Sequence, residues 1–444
     1  MKLSTSFVCE VCGYVSPAFM GKCPECGTWN SLREIKVPTV GDRKSEFASG
    51  AKQTYEPKKL SDIKFEEKNR FSTGFSEFDS VLGGGIVPGS VTLVAGDPGI
   101  GKSTLLLQLA LAMSKGKKQV LYISGEESEQ QIKLRALRLR SGQANKKAEE
   151  GLLLVSLTNT DAAVEVIAKT SPGLVVVDSI QTMESENLTG LSGSVGQVRY
   201  SAMEFIKLAK SLNIPIFIVG HVTKEGMVAG PMVLSHMVDT VLFLEGEKLT
   251  KVRILRSLKN RFGPIDEVGI FEMAEGGMVE VKNPEQVFLF ENKKDATGTV
   301  LTAILEGTRA FLVEVQALAV YSKLPMPRRV ASGIDGRRLE LLLAVLQKHA
   351  HLGVDVNDIY VNVAGGLRLN DRASDLAVCL AIYSSLKNIP LGKTVCISEV
   401  GLLGELRPVL DFNKRVREAK KLGLTNIIGT DKYKTLSEVI ARLN

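Results

Sequence analysis

The chain has 444 residues, of which 44% are hydrophobic and 24% charged, and its formal net charge is +7. This composition is typical of a globular protein of two or three domains, and no apolar run is long enough for a signal peptide or a membrane helix, so we expect a cytoplasmic location. The positive charge fits a nucleic-acid partner but also fits solubility alone.

Four of the six cysteines lie in the first 30 residues, as Cys9-x₂-Cys12 and Cys23-x₂-Cys26, and each pair is followed by glycine. Cytoplasmic thiols stay reduced, so this spacing favours metal binding over disulfides. Four thiolates favour tetrahedral zinc, with rubredoxin-like iron as the alternative. We therefore predict a C4 zinc finger over residues 1–30, since so short a segment needs a metal to fold.

Residues 31–59 are polar and charged and predict a linker. From 60 to 284, short continuous apolar runs alternate with helical patterns, which favours parallel strands covered on both faces. The predicted strands are Val91–Ala95, Val120–Ser124, Leu152–Ser156, Leu174–Asp178, Ile214–Gly220 and Val241–Glu245. The sequence thus predicts a doubly wound α/β domain here and a second α/β domain over residues 285–444.

A glycine-rich segment between a strand and a helix matches G-x-x-x-x-G-K-[ST] at every fixed position. Its glycines let backbone N–H groups turn towards phosphates, and the helix N-terminus adds a positive dipole. Lys102 is expected to reach the β- and γ-phosphates, and the Ser103 hydroxyl to bind magnesium. The predicted ATP-binding residues are Gly96, Asp97, Pro98, Gly99, Ile100, Gly101, Lys102, Ser103 and Thr104.

Two further strands end in carboxylates. Asp178 closes an apolar strand and is expected to hold magnesium through water. Glu126 and Glu127 follow the strand Val120–Ser124, where a carboxylate can orient the water that attacks the γ-phosphate. Glu126 is the first candidate and Glu127 the second.

These residues, in this order, resemble the RecA-type ATPases, with Arg70–Asp79 and Leu82–Gly85 as the lead-in. The pentapeptide Lys259–Gly263 (KNRFG) and the cysteine cluster narrow the resemblance to the bacterial RadA/Sms family of DNA repair proteins. The resemblance covers essentially the whole chain. It implies a DNA-stimulated ATPase that acts in homologous recombination and double-strand break repair, promoting branch migration of strands exchanged by RecA. It also implies a homo-hexameric ring related to replicative helicases.

In such rings a Lys-x-Arg element enters the ATP site of the neighbouring subunit, and Lys259 and Arg261 match its spacing. A cation supplied in trans stabilises the charge of phosphoryl transfer. The resemblance therefore implies that Lys259 and Arg261 complete a neighbour's site.

Two loops occupy the positions at which RecA-type domains meet single-stranded and branched DNA. They are residues 184–195 and 222–235, with Arg199 and Lys224 as candidate phosphate contacts. Neither loop is strongly basic or aromatic, so this prediction depends on the resemblance. His221 and Thr223 are candidate sensors of the γ-phosphate, with a purely structural histidine as the alternative.

Residues 285–444 resemble the proteolytic domain of Lon, which uses a Ser–Lys pair. The serine position falls on Ala373, beside Ser374, and the lysine position nearest Arg415, beside Lys414. Arginine is not a base near neutral pH, so we expect a non-proteolytic scaffold. Its candidate duplex-binding arginines are Arg328, Arg329, Arg337, Arg338, Arg368 and Arg372.

Two other classes stay open at this stage. A regulatory ATP-binding ring, related to clock-type kinases, would switch partners without moving on DNA. An ATP-dependent protease would use the C-terminal domain. The missing serine argues against that class.

Overall fold

The computed structural model describes residues 3–9, 15–25, 27–38, 59, 70–115, 119–139, 150–221, 231–246, 251–281, 289 and 296–443. The chain divides into two compact units. The first consists of Met1–Glu245, Leu255–Ile265 and Ala274–Met278, and the second of Gly246–Ile254, Asp266–Met273 and Val279–Asn444. No helix in the described ranges is both long and apolar enough to cross a membrane.

The N-terminal segment forms a small antiparallel sheet in the order β2-β1-β3. Its strands are β1 (Leu3–Cys9), β2 (Val15–Ser16) and β3 (Leu32–Pro38). The sequence places residues 32–38 in the linker, whereas the structure pairs them with β1 along its whole length, from Leu3↔Pro38 to Cys9↔Leu32. The backbone ladder with β1 holds this segment extended, although its side chains lack a regular apolar period.

Six parallel strands form the centre of the first unit, in the order β9-β4-β8-β7-β5-β6 within a nine-stranded sheet. Three of them have the predicted bounds, and the other three differ by one or two residues at one or both ends. The strands are β4 (Val91–Gly96), β5 (Val120–Ser124), β6 (Leu152–Ser156), β7 (Leu174–Asp178), β8 (Ile216–His221) and β9 (Thr240–Glu245). The doubly wound α/β prediction is confirmed, because β4, β5 and β7 are buried at every position.

Helices connect these strands, and local signals set several of their ends. They are α1 (Ser76–Val81), α2 (Lys102–Met113), α3 (Glu129–Arg138), α4 (Thr160–Thr170), α5 (Val195–Leu212) and α6 (Pro231–Ser235). Helix α3 begins with a capping box between Ser128 and Gln131. Helix α5 begins at the Ser194 cap and ends at Asn213, whose left-handed backbone stops the helix.

Three more strands complete the nine-stranded sheet: β10 (Val252–Asn260), β11 (Val268–Ala274) and β12 (Gly277–Glu280). Strand β10 carries the KNRFG segment at its end, because Lys259 and Asn260 are its last two residues. The rest of the segment, residues 261–263, therefore forms the turn that directly follows β10.

The second unit has a six-stranded mixed sheet in the order β15-β16-β14-β13-β17-β20. Its strands are β13 (Thr299–Glu306), β14 (Arg309–Tyr321), β15 (Arg329–Ser332), β16 (Asn357–Val363), β17 (Val395–Ile397) and β20 (Ile427–Gly429), with β18 (Glu399–Val400) and β19 (Leu406–Arg407) as a separate pair. Its helices are α7 (Gly336–Ala350), α8 (Asp375–Lys387), α9 (Phe412–Lys421) and α10 (Leu436–Leu443). Strands β13 and β14 form an antiparallel hairpin that closes at the pair Glu306↔Arg309.

Candidate ATP site and associated surfaces

The phosphate loop lies between β4 and α2, at the carboxyl end of the sheet. Gly96 has φ +153° and packs against the carbonyl of Leu244, so that a Cβ would lie 2.3 Å from that oxygen. At Gly99 (φ +78°) a Cβ would meet nothing within 4 Å, because the crest of the loop faces open space. Ile100 is buried and anchors the loop from below. The loop therefore forms an open backbone cradle on a rigid base, which fits a triphosphate.

Lys102 is the first residue of α2 and is buried within the loop. Its Nζ donates hydrogen bonds to the carbonyls of Gly96 (2.8 Å) and Asp97 (2.9 Å). Burial lowers the pKa of Lys102 to about 8, although the negative charges of Asp178, Glu126 and Asp97 oppose that shift. The ammonium group thus lies under the cradle, next to two of the predicted catalytic carboxylates.

Asp178 ends β7 and is buried. Its Oδ2 accepts a hydrogen bond of 2.5 Å from the Tyr122 hydroxyl, whereas its Oδ1 is buried without a hydrogen-bond partner. A buried carboxylate oxygen without a partner is costly unless a ligand or water satisfies it. Together with the Ser103 hydroxyl in the first turn of α2, this oxygen gives the hard donors that magnesium prefers.

The two glutamates after β5 have different partners. Glu126 Oε1 accepts from the Ser179 hydroxyl (2.5 Å) and lies 3.2 Å from Nε2 of His221. The His221 hydrogen bond, with help from Ser179, lowers the pKa of Glu126 to about 2, so that it is ionised at neutral pH. Glu127 instead forms an ion pair of 2.7 Å with Arg135 of α3. The geometry therefore favours Glu126 over Glu127 as the water-positioning carboxylate.

Several site residues were missed from the sequence. Ser179 follows Asp178 directly, and Tyr122 is a polar-tipped aromatic residue within an otherwise apolar strand. A buried tyrosine hydroxyl requires a partner, so Tyr122 could have been flagged. Arg135 lies on a helix with no motif, and no sequence signal connects it with this site. Thr223 lies outside the described residues.

Lys259 donates to backbone carbonyls of its own chain. Its Nζ contacts the carbonyls of Ser235 (2.6 Å), the last residue of α6, and of Val238 (2.8 Å), in the segment that follows. Burial and the nearby Arg261 lower the pKa of Lys259. A lysine at the end of a helix stabilises the last unpaired carbonyls, so this contact fixes the segment after α6.

Arg261 lies two residues farther on and is half exposed. Its Nη1 is 3.2 Å from Oδ1 of the buried Asp239. The other oxygen of Asp239 accepts from Lys210 Nζ (2.6 Å) and from the backbone N–H of Val91 (3.0 Å). Arg261 is thus held at the surface by a carboxylate that is already satisfied by other donors.

The first candidate DNA loop is organised by one buried side chain, Gln197 of α5. Its Nε2 donates to the carbonyls of Ser185 (3.1 Å) and Leu188 (2.8 Å), and its Oε1 accepts from the Ser185 N–H (2.9 Å). Arg199 lies two residues farther along α5 and is half-buried. Hydrogen bonds from Gln197 therefore hold the backbone of this loop in one conformation beside Arg199, the candidate phosphate contact.

The second candidate DNA loop falls largely outside the described residues, and Lys224 lies there. Its last part is helical, since residues 231–235 form α6. The sequence interpretation treats the whole of 222–235 as loop, whereas the proline at the first position of α6 is typical of a helix start.

In the cysteine cluster, Cys9 and Cys23 are both buried and pack with Leu32 in one small core. The N–H of Gly27 donates to the Cys23 carbonyl (2.9 Å), and Gly27 has φ +69°, as a tight knuckle requires. Cys12 and Cys26 lie outside the described residues, and within the described part no group of three or more metal-binding side chains occurs. The two buried thiols and the knuckle fit half of a four-thiolate site.

In the second unit, the position expected for a catalytic serine is Ala373, which is buried. Ser374 donates its hydroxyl to the Asp371 carbonyl (2.7 Å). Arg415 is buried and lies 2.5 Å from Asp371 Oδ2, and it also donates to the Ala303 carbonyl (2.7 Å). Where the resemblance to Lon implies a serine and a lysine, this chain therefore has an alanine and a structural ion pair.

The arginines proposed as a duplex-binding surface differ in their contacts. Arg338 donates from Nε and Nη2 to the two carboxylate oxygens of the buried Asp375. Arg329 donates to the backbone carbonyls of Asn357 and Val354. These two guanidinium groups hold the second unit together, so they are poorer candidates for DNA contact than Arg372, which has a 3.7 Å ion pair at the surface.

Comparison with known proteins adds the family. The model of an AAA domain matches residues 56–227, and that of a zinc ribbon, described as a rubredoxin metal binding domain, matches residues 7–34. The DNA repair protein RadA of Bacillus subtilis (strain 168) is 47% identical over 429 residues, which cover 96% of this chain and 92% of that protein. The chain belongs to the RadA family of DNA repair proteins.

Other relatives are similar over the same extent. RadA of Listeria monocytogenes is 47% identical, over 96% of this chain and 92% of its own length. RadA of Halalkalibacterium halodurans is 44% identical, over 97% and 93%. A solved RadB recombinase is 25% identical and matches 48% of this chain and 99% of its own, with a TM-score of 0.39. The three RadA relatives confirm the family resemblance seen in the sequence along nearly the whole chain.

Proposed function

We propose that this chain is a DNA-dependent ATPase that processes recombination intermediates, promotes branch migration with RecA as partner, and acts as a hexameric ring. Membership of the RadA family supports the role in DNA repair. The observation that carries the ATPase is the placement of Lys102, Asp178 and Glu126 around one open phosphate cradle, with Asp178 Oδ1 buried and unpartnered.

In this proposal each side chain has one role in hydrolysis. The loop N–H groups and Lys102 bind the phosphates, while Ser103 and Asp178 hold magnesium, which would neutralise charge on the β- and γ-phosphates. Glu126, ionised and oriented by Ser179 and His221, accepts a proton from the attacking water. Glu127 is instead engaged in its ion pair with Arg135.

We further propose that Lys259 and Arg261 complete the site of the next subunit. They lie where β10 ends. Asp239 holds Arg261, and a backbone carbonyl at the end of α6 holds Lys259, so both cations are fixed in place before a neighbouring subunit binds. A cation supplied in trans accelerates phosphoryl transfer by about 10³–10⁵. Hydrolysis would then depend on contact between subunits.

The domain division that accompanies this proposal is an N-terminal C4 zinc finger whose sheet extends through β3 to Pro38, a linker from there to residue 59, the ATPase over 60–284 and a non-proteolytic Lon-like domain over 285–444. The same proposal includes zinc bound by Cys9, Cys12, Cys23 and Cys26. It also includes DNA contacts at Arg199 and Lys224, and a cytoplasmic location. The Arg415–Asp371 pair at the Lon-like centre supports a scaffold rather than a protease.

The test is ATP hydrolysis by purified protein with magnesium, with and without single-stranded and forked DNA. We expect turnover that DNA stimulates and that Lys102→Ala abolishes, because the variant loses the only ammonium under the cradle among the described residues. Turnover without any response to DNA would favour the regulatory ring. Loss of an unfolded protein substrate in the presence of ATP would instead favour the protease.

A further inference from the structure

We infer that Tyr122 and the Glu127–Arg135 ion pair together position Asp178 for magnesium: Tyr122 fixes its Oδ2, and Glu127 keeps the charge of Arg135 from neutralising it. This inference rests on the proposed ATPase function and concerns residues that touch neither nucleotide nor metal. It assigns Glu127 a role different from that of Glu126.

The position of Tyr122 follows from strand register. Strands β5 and β7 are parallel neighbours, with Tyr122 opposite Val176 and Ser124 opposite Asp178. Residues two apart lie on the same face of a strand, so Asp178 lies on the same face as Val176 and therefore as Tyr122. The Tyr122 hydroxyl reaches the carboxylate two residues farther along β7. Tyr122 is fully buried, so its hydroxyl requires a partner inside the protein.

This hydrogen bond decides which carboxylate oxygen remains available. A carboxylate turns freely about its last bond, and a donor on one oxygen stops that rotation. The Tyr122 hydroxyl lies 2.5 Å from Oδ2, and Oδ1 is the oxygen left without a partner. Because the donor is a neutral hydroxyl, it orients Asp178 without cancelling its charge.

A cation is also close to Asp178. Nη2 of Arg135 lies 4.0 Å from Asp178 Oδ2 and 3.5 Å from the Tyr122 hydroxyl. The same nitrogen is only 2.7 Å from Oε2 of Glu127. Coulomb attraction falls with distance, so Arg135 is attracted more strongly to Glu127 than to Asp178. Without Glu127, the guanidinium would be free to move closer than 4.0 Å to Asp178 and compete with magnesium.

The experiment measures how the affinity for a fluorescent ADP analogue depends on Mg²⁺ concentration, alongside steady-state ATP turnover. For Tyr122→Phe we expect the Mg²⁺ concentration at half-saturation to rise about tenfold, as is usual when a group that orients a metal ligand is lost. Nucleotide affinity without Mg²⁺ should stay as in the wild type. A merely structural tyrosine would lower the melting temperature without moving the Mg²⁺ dependence.

A matched control is Tyr200→Phe, which also removes a hydroxyl near a carboxylate, the 3.4 Å contact with Asp161. It should keep the wild-type Mg²⁺ half-saturation. Glu127→Gln tests whether Glu127 keeps Arg135 from Asp178. The Glu127 side chain lies at the surface, so this variant should fold even if Tyr122→Phe does not. We expect weaker Mg²⁺ binding in Glu127→Gln and its recovery in Glu127→Gln/Arg135→Gln, which removes the released cation.

An unchanged Mg²⁺ half-saturation in a folded Tyr122→Phe protein would overturn the inference. So would an unchanged value in Glu127→Gln. These results differ from failure of the proposed function, in which the wild-type protein itself would show no Mg²⁺-dependent nucleotide binding or turnover, and the inference would fall with it.

Discussion

Nε2 of His221, at the end of β8, lies 3.2 Å from Oε1 of Glu126, which follows β5. The two residues are 95 positions apart in sequence, and β7 lies between β8 and β5 in the sheet. The contact keeps Glu126 ionised and aimed beside Asp178, and it connects the candidate base with the strand that leads to the second candidate DNA loop.

Glu126→Gln should bind ATP but hydrolyse it about 10²–10⁴ times more slowly, because the amide cannot accept the proton of the attacking water. Single-turnover hydrolysis and equilibrium ATP binding measure the two effects separately. Glu165→Gln, an exposed glutamate on α4, is the control for the same chemical change. Near-normal turnover in Glu126→Gln would remove it as the base.

The pH dependence of kcat/KM for ATP should show an alkaline limb near pH 8. Burial lowers the pKa of Lys102 to about 8, so the ammonium is charged below that pH and is lost above it, and phosphate binding weakens as pH rises. Glu126, with a pKa of about 2, gives no acid limb near neutrality. Lys102→Arg should be less active but lack the limb, since arginine stays charged; the same limb in that variant would assign it to another group.

Lys259→Ala should bind ATP normally and lose turnover by about 10³-fold or more, because the transition-state charge loses its cation. Mixing Lys259→Ala with Lys102→Ala protein should restore activity, since some sites then combine an intact loop with an intact neighbouring lysine. Lys207→Ala, which removes a surface ion pair with Glu204, is the control. An inactive mixture, or normal turnover in Lys259→Ala alone, would contradict a role in trans.

Arg415→Met should lower the free energy of unfolding by about 3–5 kcal/mol, because it leaves the carboxylate of Asp371 in a largely buried place without its partner. Adding Asp371→Asn should recover part of the loss. Arg407→Met breaks an exposed pair with Glu405 and should change stability by less than about 1 kcal/mol. Chemical denaturation followed by circular dichroism measures all three, and equal effects of Arg415→Met and Arg407→Met would refute a structural role for the buried pair.

Purified protein should contain about one equivalent of zinc, held by four thiolates. Cys9→Ser should lose the metal, whereas Cys396→Ser, in the core of the second unit, should keep it. Elemental analysis gives both values and separates zinc from iron. Full zinc content in Cys9→Ser would place the metal elsewhere.

The sequence by itself determined the features that depend on neighbouring residues. The phosphate loop, the continuous apolar strands and the carboxylates that end them are local patterns, and three strands were predicted to the residue. The linker start was misplaced because β3 depends on its partner strand, not on its own period.

Only the tertiary structure decided which acidic and basic groups meet. Three contacts join residues at least 44 positions apart: Glu126 with Ser179, Tyr122 with Asp178 and Arg415 with Asp371. Glu127 pairs with Arg135, only eight residues away, and no local pattern separates its partner from that of Glu126. Such contacts depend on strand register and on how helices pack, and these are set by the burial of the whole core rather than by any local motif.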